Sequence, residues 1–218
     1  MPSETGLAGS EKLPARPSDT VMKPHSPGEY LAYGISQVGS PPIMGLLPLV
    51  LILTSLAMPK LWLWSTVYLF FAMVAPLAFL LWQFSHGHIT DLDVHLREQR
   101  KASLLVTIAG FSAAWLALLL GGAHPFLIIL AGTGVMQWLA IFFITTRWKI
   151  SVHTASATGV TLLLIRMFGP TTAPLLVSIP LVAWSRIKLR HHTPAQTLAG
   201  IGLGLTIFAL TILLAPAI

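Results

Sequence analysis

Long apolar runs separated by short polar breaks fill the chain from residue 42 onward, at roughly 42–58, 61–83, 102–122, 125–146, 152–168, 171–189 and 194–216. A bilayer core takes about 20 apolar residues per helix, and in lipid every backbone N–H and C=O must be satisfied within the segment. The pattern therefore predicts an all-α fold, a polytopic membrane helix bundle of about six to seven transmembrane helices. Pro59, Gly121-Gly122 and Gly169-Pro170 read as tight turns between antiparallel neighbours. The fifth and sixth runs are short and Pro180 interrupts the sixth, which sets the range of the count. Residues 1–40 differ: they are mixed in charge, hold Pro14, Pro17, Pro24 and Pro27, and lack the compact apolar run of a secretory signal. They are expected to form a disordered or interfacial tail, with a short interfacial helix at 28–38, ahead of a single transmembrane domain at 41–218.

Composition agrees with that reading. Hydrophobic residues make up 55% of the chain and charged residues only 9%, against about 25% charged in a soluble domain. With no cysteine, disulfides and thiolate metal sites are excluded. Seven spans would put 1–41, 84–101, 147–151 and 185–193 on one side, with eleven cations: Lys12, Arg16, Lys23, Arg97, Arg100, Lys101, Arg147, Lys149, Arg186, Lys188 and Arg190. Only Lys60 and Arg166 fall on the other. The positive-inside rule makes the first side cytoplasmic. The net charge of +6 sits at membrane boundaries, where lipid headgroups account for it, so no nucleic-acid partner is expected.

Three polar segments, far apart in sequence, meet on that side. In the first, His86 to Lys101, Arg97 and Arg100 are i,i+3 neighbours able to face one anion if the segment ends in a helix. His86, His88, Asp91, Asp93 and His95 are all metal-ligand types, but their spacing fits no defined metal pattern, so no metal and no cofactor is expected. In the second, Ser151 is a candidate N-cap, which puts His153 in a first helical turn whose unpaired N–H groups favour an anion. In the third, Thr193, Pro194 and Gln196 match an N-cap, a first-turn proline and a capping-box glutamine, with His192 just before that helix N-terminus. The plain alternatives are a headgroup-binding loop, an interfacial histidine and a snorkelling collar of Arg186, Lys188 and Arg190.

These segments read D-V-H-L-R-E-Q-R-K (Asp93–Lys101), I-S-V-H (Ile150–His153) and S-R-I-K-L-R-H-H-T-P-A-Q (Ser185–Gln196). In order and loop placement they resemble the type 2 phosphatidic acid phosphatase superfamily, whose pattern is K-x-x-x-x-x-x-R-P, P-S-G-H and S-R-x-x-x-x-x-H-x-x-x-D. The resemblance covers roughly 60–216. It implies a membrane phosphatase for a lipid phosphate, a phosphatidate or an isoprenoid mono- or diphosphate. It implies His192 as the nucleophile that becomes a phosphohistidine, His153 as proton donor to the leaving alkoxide, and Arg100, Arg186 and Ser151 as the phosphate cradle. Asp93 stands at the family's lysine position, where Arg97 is the neighbouring substitute. Lys101, Ile150 and Val152 replace a proline, a proline and a glycine. Gln196 replaces the aspartate that orients the nucleophilic histidine; it accepts a hydrogen bond but lacks the charge that stabilises an imidazolium.

Two other functions are compatible with the same residues. One is a catalytically inactive relative acting as a binding, transport or structural membrane subunit, suggested by the lost aspartate and lysine. The other is a metal-dependent prenyl or alcohol-phosphate transferase, suggested by Asp91 and Asp93, though such enzymes usually space their aspartates more regularly. Gly200-x-x-x-Gly204 allows close helix contact, either inside the bundle or between copies in a homo-oligomer.

Overall fold

The computed structural model describes residues 24–56, 60–92, 94, 96 and 99–214. Every regular element among them is helical, in the order α1 (Pro27–Val38), α2 (Pro41–Ser55), α3 (Leu61–Leu69), a π turn (Phe70–Val74), α4 (Ala75–Ser85), α5 (Arg100–Leu120), α6 (Pro125–Thr145), α7 (Val152–Phe168), a 3₁₀ stretch (Pro170–Val177), α8 (Ser178–Lys188) and α9 (Pro194–Leu214). The chain is an integral membrane protein, and its all-α class is as expected.

The span count is not. Among the described residues, four helices are long and apolar enough to cross a bilayer: Leu61–Ser85, Arg100–Leu120, Pro125–Thr145 and Pro194–Leu214. A fifth arises only if α1 and α2, bent by 52°, are one broken span. Of the six to seven expected, two runs fold into shorter helices and a third forms a helix of the expected bounds that is short for a span. The run at 42–58 yields a 15-residue helix ending at Ser55. The run at 171–189 splits into the 3₁₀ stretch and an 11-residue helix. The run at 152–168 forms a 17-residue helix, buried over most of its surface and studded with Thr154, Ser156, Thr158 and Thr161. Hydropathy alone does not separate a lipid-facing span from a core helix wrapped by others.

α7 is that core. α9 lies closest against it, because Gly200 and Gly204 present no side chain to it: a Cβ at Gly200 would collide with Thr154 Oγ1, and one at Gly204 would sit 2.7 Å from the Ala155 carbonyl. The Thr154 hydroxyl crosses the seam to the Thr197 carbonyl at 3.1 Å. The small-residue pattern thus serves packing within the bundle. A second contact of the same kind joins α5 to the π turn. Pro76 has no N–H to give the Phe71 carbonyl, and Gly110 packs directly on that oxygen. An apolar core of Leu49, Tyr68, Phe111, Leu118, Leu127 and Leu163 holds α2, α3, α5, α6 and α7 together.

Chain direction follows from these contacts. α5, α7 and α9 all begin at one end of the bundle, where α8 finishes. Three helix N-termini, each with a partial positive charge, open onto the same place. The short helix foreseen at 28–38 exists as α1 and packs against α8.

Replacing Gly200 by alanine forces α9 off α7, and an overpacking cost of about 1–3 kcal/mol is expected. Gly202, with open space around its would-be Cβ, is the control. Thermal unfolding in detergent should show a lowered Tm for Gly200→Ala and none for Gly202→Ala; equal Tm values would break the proposed packing.

Candidate active site

α8 ends in a left-handed turn at Arg190, φ 56°. The N–H groups of His191 and His192 both return to the Arg186 carbonyl, at 3.0 and 3.2 Å, a Schellman-type closure in which a non-glycine residue accepts the positive φ. That closure folds His192 back over the helix carrying Arg186. α9 starts two residues later with the expected capping box: Thr193 N–H donates to Gln196 Oε1 at 3.2 Å, and Gln196 N–H donates to Thr193 Oγ1 at 3.3 Å.

The capping box settles the protonation of His192. A backbone N–H can only donate, so the atom it meets on Gln196 is the amide oxygen. His192 Nδ1 lies 3.0 Å from the same oxygen and must be the donor. The neutral ring therefore carries its proton on Nδ1 and leaves the Nε2 lone pair unprotonated, which is the tautomer a nucleophilic histidine requires. Gln196 is both a helix cap and the orienting group for His192.

Arg186 is almost fully buried, 1% exposed. Its Nη1 donates to Ser36 Oγ on α1 at 2.6 Å and to His153 Nε2 on α7 at 3.4 Å. His153 Nε2 thus receives a proton donor, and the neutral ring's proton sits on Nδ1. Arg100, also buried, donates from Nε to the Val94 carbonyl at 2.7 Å and from Nη1 to the Ile150 carbonyl at 3.5 Å. Val94 itself, a β-branched residue at φ 45°, is strained backbone of the kind that concentrates at functional sites. Lys149 Nζ donates to the His191 carbonyl at 2.9 Å.

Arg100, His153, Arg186 and His192 all line one cavity of about 370 Å³. It continues inward between α2, α4, α5, α6 and α7 along a mostly apolar wall that includes Tyr68, Leu77, Phe111 and Leu163. Ser151 is not on that wall. It is fully buried and its Oγ accepts from Thr154 N–H at 3.4 Å, which makes it the N-cap foreseen. Arg97 and Asp93 lie outside the described residues. No cluster of three or more metal-ligating side chains occurs among those described.

Sequence reading missed Ser36, which lies in a tail helix with no chemical signature, and Gln37, which lines the same cavity. It also passed over Lys149 as a site residue. Its field, with those of Arg186 and Arg100, adds to the main effect of burial and lowers the His192 pKa from 6.5 to about 2, against a small opposing effect of the Gln196 hydrogen bond. Lys149 is itself pushed below its usual value by burial, then by Arg100 and Arg186, with Asp91 opposing. The mouth is a cationic concavity holding a neutral imidazole.

No protein-family model matches the chain, and no curated protein or solved structure is significantly similar to it.

Because the folded state refuses a proton that the unfolded chain accepts below about pH 6.5, the stability due to neutral His192 is complete above that pH. It is lost progressively as pH falls toward 2. Melting in detergent from about pH 7 to about pH 4 should show Tm falling with acidification, and His192→Asn should flatten that slope. An unchanged slope in the variant would remove His192 as its source.

Proposed function

We propose that this protein is a membrane-embedded lipid phosphate phosphatase that works through a phosphohistidine at His192. One observation carries the reading: an Nδ1-protonated, neutral His192 lines an apolar cavity in the company of two buried arginines, Arg100 and Arg186. An apolar slot with a cationic mouth complements an amphiphile whose head is a phosphate. By the positive-inside count the mouth faces the cytoplasm.

In the first step the Nε2 lone pair attacks phosphorus, forming a P–N bond as the P–O bond to the lipid breaks. The arginines, Lys149 and the helix N-termini stabilise charge on the phosphoryl oxygens. The departing alkoxide takes a proton from His153 as its imidazolium: Nε2 exchanges its contact with Arg186 for a proton from solvent, passes that proton to the leaving oxygen, and the ring returns to its neutral form. Water then attacks phosphorus, breaks the P–N bond, releases inorganic phosphate and restores the imidazole. Ser36 fixes the Arg186 fork, and charge-assisted bonds of this type contribute about 1.5–3 kcal/mol each.

Gln196 favours a second reading, phosphate-lipid binding without turnover, because a neutral amide does little for the cationic phosphoimidazole. One assay separates the two. Purified protein in detergent is given phosphatidate, lysophosphatidate and isoprenyl phosphates, and inorganic phosphate is measured. Release that falls on the order of 10³-fold in His192→Ala is expected; release unaffected by that substitution would sink the mechanism, and none from folded protein would favour the binding reading. Gln196→Asp should raise kcat and shift the acid limb of the pH–rate profile upward, whereas Gln196→Leu should lower kcat by losing the tautomer.

A further inference from the structure

Below the cationic mouth the cavity wall carries a buried polar pair, between α6 and α7, that the reaction above does not use. Gln137 on α6 and Ser156 on α7 are both buried and both line the cavity. Gln137 Nε2 donates to Ser156 Oγ at 3.0 Å. That bond consumes one of the two amide N–H groups and one lone pair of the hydroxyl. The remaining amide N–H and the hydroxyl proton stay available as donors. Near the pair on α5 and α6 the polar side chains of the wall are engaged: Ser103 donates to Gln83 at 2.6 Å, Thr107 to the Ser103 carbonyl at 2.8 Å, and Thr133 pairs with Thr211 at 3.1 Å, while Gln37 and Ser40 line the cavity from α1 and the α1–α2 turn and Tyr68 from α3. Gly159 marks the position further, because a Cβ there would press on Gln137 Oε1 at 2.9 Å; the helix is bare where the amide needs room.

A glutamine with spare valences is expensive in the hydrocarbon layer, and intramembrane polar groups facing a cavity mark ligand paths. Its height is informative. His153, Ser156, Gly159 and Leu163 lie along one face of α7 and all line the cavity. Ser156 is one turn, about 4.5 Å, below His153. In a glycerolipid phosphate only the glycerol unit separates phosphorus from the acyl ester carbonyls, so a carbonyl oxygen falls at about that depth. An isoprenyl phosphate presents bare hydrocarbon there and would leave both donors facing it.

We infer that the Gln137–Ser156 pair receives an ester carbonyl of the substrate, which selects an acyl glycerol phosphate over isoprenyl and ether-linked phosphates. The inference rests on the phosphatase reading. Below the carbonyl the wall is mainly apolar, at Phe111, Leu130 and Leu163, where the acyl chain lies.

The test compares kcat/KM for dioleoyl phosphatidate, its dialkyl ether counterpart and farnesyl phosphate in mixed micelles. The wild-type protein should favour the ester over the ether by roughly five- to tenfold, the value of one neutral hydrogen bond. Gln137→Met, which keeps volume, and Ser156→Ala, which removes one atom, should bring that ratio toward unity while leaving the ether rate unchanged. Tm measured alongside verifies that each variant is folded. An ester-to-ether ratio near one in the wild type, or one that both folded variants retain, overturns the inference while His192-dependent release leaves the phosphatase reading standing. Absence of release from all three substrates by folded protein overturns both together.

Discussion

Burying the guanidinium of Arg186 is the constraint around which the site end of the molecule is arranged. A cation out of water requires hydrogen-bond acceptors on its donors or it costs several kcal/mol. Here the acceptors come from separate helices: Ser36 from α1 and His153 from α7. The main chain of the same residue is used as well, since its carbonyl closes the turn that carries His192. One residue therefore fixes the nucleophile candidate, the second histidine and the helix over the mouth relative to each other. The glycine seam between α7 and α9 supplies the other half, by setting the His192–Gln196 cap beside the start of α7.

Much of this was visible in the amino-acid sequence, because short-range rules decide it. Apolar run length gives helix, and the spacing Thr193, Pro194, Gln196 gives a cap whose hydrogen bonds appear as foreseen. Alternation of long helices and short loops brings Arg100, His153 and His192 to one end irrespective of packing detail. What was not visible depends on which faces meet. The 17 residues of α7 are apolar enough for a span but are enclosed by neighbours, and no hydropathy window contains that information. Ser36 looks like any small polar residue on an interfacial helix until Arg186, 150 positions away, is seen against it. Gln137 and Ser156 likewise acquire meaning only when their helices are adjacent. Ser151 shows two local demands on one residue: the motif position points to the phosphate, and the helix also uses its oxygen as a cap.

The electrostatics of the mouth connect binding to turnover. Burial, with the fields of Arg186, Lys149 and Arg100, holds the His192 ring neutral, which on the proposed reading is the state that attacks. The same field opposes the cationic ring that forms once phosphorus is bonded to Nε2. A carboxylate at position 196 would offset that opposition, but it would also cancel part of the charge that attracts a phosphate dianion. Gln196 keeps the tautomer and the full attraction and gives up stabilisation of the product of attack. On the proposed reading, this places the chain toward tight capture of its lipid and slow chemistry, since interactions equally strong before and during attack lower KM without raising kcat. The phosphate itself supplies part of the missing negative charge, because its oxygens lie among the cations that depress His192. The ring therefore becomes a better acceptor of positive charge when substrate is present than when the mouth is empty.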